Sequence, residues 1–220
     1  MQKVIILGTA HRFREPGKCS PDHKLREFMY SREICDELNY KLSDMGYLTY
    51  IDWWPADLDK TMQTPSVKLE RSRELALRVN EVNRICDEYG KQNCLYVSIH
   101  LNAYGNDSKW HNASGWQVCV SPKASNKSKI LANYLFDAAS DQGLKMRQPL
   151  PSQKYWQQSL YVLNNTKCPA VLTENLFMDN QKDAEFLLSD LGRHTIERLH
   201  IEGIVRFVEY LNDQEIIDRV

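Results

Sequence analysis

Leu95-Tyr96-Val97-Ser98-Ile99-His100 and Ala170-Val171-Leu172-Thr173-Glu174 are apolar runs that each end in a side chain able to bind a metal or carry a proton. Their length and aliphatic character read as strands, and the near absence of polar alternation is what a parallel sheet covered on both faces produces. A third run, Val4-Ile5-Ile6-Leu7, reaches His11 a few residues later. As parallel strands of one open α/β sheet, the three would bring their carboxyl ends to a common crevice, where such folds bind ligands. Two imidazoles and a carboxylate would then face each other, which is the raw material of a zinc site.

Working outward, Lys3 to Leu7 reads as the first strand, followed by a polar loop with His11, Pro16, Gly17 and Pro21. Asp22 is placed to cap a helix from about His23 to Met45, where Leu25, Met29, Ile34, Leu38 and Leu42 recur near helical period. Gly46 stops it before a strand over Tyr47–Ile51. Trp53-Trp54-Pro55 opens a loop that ends at Thr64-Pro65, read as an N-cap and first helical position, and the helix runs to Tyr89 and closes at Gly90. Further strands are expected over Gly115–Val120 and Leu160–Leu163, a third helix over Ser125–Ala139, and two tail helices over Lys182–Leu188 and Thr195–Leu211. Strands alternating with helices predict one α/β domain over residues 1–220, with a central, mostly parallel, twisted sheet of about six strands and helices on both faces. No internal repeat or appended module is visible.

Composition narrows the function classes. Hydrophobic residues are 42% and charged residues 26% of the 220, an ordinary globular balance. A net charge of -1 argues against a nucleic-acid or anionic-membrane binder, which needs a basic excess. The first residues turn polar too soon for a signal peptide, and no apolar run approaches a membrane span. The six cysteines form no Cys-x-x-Cys pair and several fall inside expected elements, so they read as reduced, mostly buried thiols.

Catalytic zinc sites use three protein ligands and leave a position for water. His11, Glu27 and His100 can supply a His-Glu-His set, leaving Glu174 as a carboxylate able to accept a proton. His23, four residues before Glu27 and on its helix face, is the rival first ligand. Trp156, in a long loop before a strand, is a candidate substrate wall.

Ser98-Ile99-His100-Leu101-Asn102-Ala103 resembles the Ser-Ile-His-x-Asn-Ala segment of the zinc-dependent N-acetylmuramoyl-L-alanine amidases, the type found in bacterial cell-separation amidases and phage endolysins. Pro169 to Asn180 resembles that family's Pro-Ala-Val-Leu-x-Glu-x-x-Phe-x-x-Asn segment. Arg78 to Asn83 is similar to its Arg-x-x-x-(small)-Asn helix, with Val82 at the small position, and Gly115 to the glycine opening the next strand. The resemblance implies that His11, Glu27 and His100 hold Zn2+, that Glu174 is the catalytic carboxylate, and that Asn102 joins Trp156 as a substrate contact. It further implies hydrolysis of the amide between N-acetylmuramic acid and L-alanine in peptidoglycan. From charge and hydropathy no nucleic-acid partner and no membrane insertion are expected, and from the pass along the chain no separate wall-binding module. The enzyme is expected to be made in the cytoplasm and to act at the cell wall after release or export. Another zinc peptidase of related fold, or a non-catalytic wall-binding module with a relic site, are the alternatives. One motif departs: the family has Pro-Gly before His-Gly-Gly, whereas this chain reads Gly8-Thr9-Ala10-His11-Arg12-Phe13. Arg12 and Phe13 resist conformations that glycine permits, so a different loop backbone is expected.

Overall fold

Alternation along the apolar strands sends Ile5, Leu7, Leu95, Val97 and Val171 to one face, and Val4, Ile6, Cys94, Tyr96 and Leu172 to the other, so two hydrophobic clusters sandwich the sheet. The computed structural model describes residues 2–12, 15, 18–52 and 64–217. Its elements are β1 (Val4–Gly8), α1 (Glu27–Asp44), β2 (Leu48–Ile51), α2 (Val67–Tyr89), β3 (Cys94–Asn102), β4 (Gln117–Val120), α3 (Asn126–Asp141), β5 (Trp156–Gln157), α4 (Tyr161–Asn165), β6 (Ala170–Phe177), α5 (Gln181–Leu188) and α6 (Asp190–Ile217). The strands form one sheet in the order β2-β1-β3-β6-β4-β5. Every pairing is parallel except β4 with β6. Residues of α1, α3, α5 and α6 fill the first cluster, and residues of α2 and α4 the second. The expected fold class is therefore what the chain adopts.

Three local expectations are corrected. Leu160–Leu163 is not a strand, because Tyr161–Asn165 forms the short helix α4, burying Val162 and Leu163 and exposing Tyr161. The strand in that region is the two-residue β5, paired parallel to β4. Helix α1 starts at Glu27 rather than His23: Asp22 accepts from Ser20 Oγ and Lys24 N within a turn, His23 has φ +60°, and Arg26 is extended. The cap of α2 is Ser66, whose side chain accepts from Leu69 N, not Thr64. Trp53-Trp54-Pro55, Phe13, Pro16 and Gly17 lie outside the described residues.

Gly115 is required where it stands. It has φ +116°, and a Cβ there would lie 2.8 Å from Lys145 O. All six cysteines are unpaired, and five are buried. Among the described residues no helix is long and apolar enough to cross a membrane.

Candidate metal centre and catalytic carboxylate

Three elements deliver the clustered side chains. On β3, Ser98 and His100 are two residues apart and share a face. The parallel register sets His100 beside Glu174 of β6. The pairing then slips, Asn102 matching Phe177, and the extra residue is absorbed around Leu176 at φ +66°, a strained left-handed backbone at a β-bulge. Glu27 is the first residue of α1, where a carboxylate suits the helix dipole, and it is 1% exposed. His11 follows β1 at φ +44°.

Ligand atoms of His11, Glu27 and His100 all lie within 4.8 Å of one another. His11 Nε2 is 3.2 Å from Glu27 Oε2, and His100 Nδ1 is 3.0 Å from Glu27 Oε1. The far ring nitrogens are held elsewhere: His11 Nδ1 lies 2.7 Å from Glu15 Oε2, and His100 Nε2 lies 3.1 Å from Ser98 Oγ. Such outer partners fix ring orientation in metal sites. Glu27 Oε2 and Glu174 Oε2 are both buried without a hydrogen bond. Two imidazole nitrogens around an orphaned carboxylate oxygen are a donor set that fits zinc.

Electrostatics separate the two carboxyls. Burial works to raise Glu27, but His11 and His100 overcome it and hold the group well below the ordinary range. Burial also raises Glu174, and the negative charge of Glu27 adds to it, so that this carboxyl is pushed up to about 8. Burial opposes the His11 imidazolium, yet Glu27 and Glu15 raise it to about 9. His100 is shifted down, chiefly by burial.

These groups line a cleft of about 270 Å³ that also takes in Asn102, Lys18, Arg71 and Tyr161. Of the residues expected from sequence, His11, Glu27, His100, Glu174 and Asn102 come together there. Trp156 does not line that cleft; it is half-buried on β5 against the second core cluster. His23 sits on an exposed turn with Nδ1 3.2 Å from Cys19 Sγ, apart from the metal-binding set. Asn83 is a packing group, joining α2 to Asn165 O and Lys167 N. Glu15, Ser98 and Lys18, whose Nζ is 4.0 Å from Glu27 Oε2, are site residues that sequence reasoning missed. Only Ser98 carried a signal, its two-residue spacing from His100.

Fold and cleft together define a class: α/β proteins with a candidate three-residue metal cluster toward the carboxyl ends of a mostly parallel sheet. Within that class, residues 5–206 match the N-acetylmuramoyl-L-alanine amidase family, and the chain belongs to it. It is similar to the endolysin of Bacillus phage SPP1, with 31% identity over 114 residues covering 52% of this chain and 40% of the phage protein. It is also similar to a probable cell wall amidase, LytH, of Staphylococcus saprophyticus, with 28% identity over 204 residues, 92% of this chain and 57% of that protein. The chain thus spans about half the length of the curated relatives it matches. Among solved structures, the Ami1 amidase of Mycobacterium smegmatis superposes with TM-score 0.74 at 16% identity, over 94% of this chain and 97% of that one. The CwlD amidase of Clostridioides difficile gives TM-score 0.73 at 19% identity, over 95% of this chain and all of that one.

Proposed function

We propose that this chain is a catalytic amidase unit that hydrolyses the amide between the lactyl group of N-acetylmuramic acid and L-alanine in peptidoglycan. His11, Glu27 and His100 would hold zinc, with Glu174 as the proton-transfer group. The observation that carries this reading is Glu174: a half-buried carboxyl with Oε2 buried and unpartnered, beside His100 in the sheet register and opening on the cleft. Zinc held there would supply a Lewis acid and lower the pKa of water toward neutrality. Glu174, in its ionised form, would take the proton of the attacking water and return it to the leaving amine. Asn102 and Tyr161 line the walls along which the muramoyl-peptide would lie. The names of the relatives, an endolysin and a cell wall amidase, support this substrate class.

The test is digestion of purified peptidoglycan by the zinc-loaded protein. New alanine amino termini should appear without new reducing sugar ends. Glu174→Gln should retain zinc and lose about 10²–10⁴-fold in rate. His100→Ala should lose the zinc itself, whereas His23→Ala keeps it. Wild-type turnover by Glu174→Gln, or release of reducing ends, overturns the proposal.

A further inference from the structure

Arg12 stands where the resembled motif has glycine, and it is 3% exposed. A guanidinium taken out of water must be paired and hydrogen-bonded. One helix supplies its partners, although Nε makes no hydrogen bond. Nη1 pairs with Glu70 Oε2, Nη2 donates to Val67 O at 2.9 Å, and Nε lies 3.5 Å from Glu74 Oε2. Glu70 and Glu74 are themselves buried, at 0% and 2% exposure, so the seat on α2 is as dry as the guanidinium in it.

A second guanidinium from the same helix holds the other side of His11. Arg78 Nη2 donates to His11 O at 3.1 Å and to Glu74 Oε1 at 2.8 Å. Its Nη1 donates to Thr9 Oγ1 at 2.5 Å and to Asp52 Oδ1 at 2.8 Å. Asp52 is fixed in turn by Thr9 N at 3.0 Å and Tyr96 OH at 2.9 Å. Residues 9 to 12 are therefore gripped from α2 on both sides of His11. That residue has φ +44°, a region a non-glycine side chain occupies only when its surroundings over-determine it.

We propose that Arg12, seated between Glu70 and Glu74, is a positioning residue that holds His11 in its ligating conformation, so that helix α2 and not a glycine turn sets the geometry of the metal centre. The inference rests on the zinc reading of the site.

Removing Arg12 alone would take the guanidinium from the buried Glu70 carboxylate, while Glu74 keeps Arg78, and would destabilise the fold for an unrelated reason. The informative variants are the neutral pair Arg12→Met with Glu70→Gln, and Arg12→Lys. Two quantities are measured on each: the zinc dissociation constant, by competition with a chromophoric chelator, and the melting temperature of the metal-free protein. The neutral pair should bind zinc about 10–100-fold more weakly, the usual effect of losing an outer support of a ligand, while its metal-free melting temperature stays close to that of the parent. Arg12→Lys should fall between, since an ammonium restores charge but cannot reach Glu70 and Val67 O together. Parental zinc affinity in the neutral pair overturns the proposal. If the neutral pair does not fold, Arg12→Lys decides in the same way: weaker zinc supports the role and unchanged zinc overturns it. Parental protein that binds no zinc would sink the metal reading itself, whereas tight parental binding with unmoved variants sinks only the role of Arg12.

Discussion

On the proposed zinc reading, a proton and a metal ion compete for His11. With Glu27 held ionised and His11 raised to about 9, the metal-free pair is an imidazolium–carboxylate near pH 7, while His100, shifted down by burial, stays neutral. Zinc takes only the neutral imidazole, so binding must release the His11 proton. The apparent association constant should therefore rise about tenfold per pH unit from pH 7 toward about 9 and level off above it. Calorimetry in buffers of differing ionisation enthalpy would count the proton released. An affinity flat over that span would show that His11 is not a ligand. At this scale His100 and Glu174 were legible because each closes an apolar run, a position where an ionisable group needs a task. Glu15 and Arg12 were not, because their partners on His11 and α2 are brought together only by the folded loop.

Among the elements, legibility followed length. β1, β3 and β6, and the closing turn of α2 at Gly90 with φ +83°, were read correctly because apolar runs and a helix-ending glycine are strong local signals. Leu160-Tyr161-Val162-Leu163 was misread because four residues cannot separate a period of two from one of 3.6. The start of α1 was misread because Asp22 caps a local turn just as readily as a helix. The same region bears on Trp156. Packed beside Leu160 against the second cluster, with Nε1 buried and unpartnered, this ring belongs to the sheet edge. Trp156→Ala should lower stability by about 2 kcal/mol, less than the roughly 3–5 of a fully buried aromatic, and leave zinc content unchanged. Chemical denaturation and metal analysis of one sample would check both. Lost wall turnover at parental stability would return Trp156 to the substrate groove.

For the molecule as a whole, the mostly parallel sheet and its two covered faces followed from the pattern of apolar runs, but the strand order and the polar layer beneath the cleft did not, since a histidine in a helix gives no sign of its depth. His200 of α6 is fully buried, with Nδ1 2.7 Å from Ile196 O and Nε2 2.9 Å from Thr173 Oγ1. Asn175 Nδ2 joins Thr173 Oγ1 at 3.1 Å to His100 O at 3.0 Å, so these bonds run from the far helix to the backbone of His100. Burial depresses the imidazole from 6.5 to about 4. Above 6.5 neither the folded nor the unfolded chain protonates it, and the group has no effect on the pH slope. As pH falls from 6.5 to about 4, the unfolded chain takes a proton that the native state refuses, so stability must decline. The interval corresponds to about 3 kcal/mol. His200→Gln removes the titration, so the stability difference between parent and variant, measured by denaturant unfolding at each pH, should shrink by that amount between pH 7 and 4. Two curves that stay parallel across this range would show that His200 is not held neutral in the core.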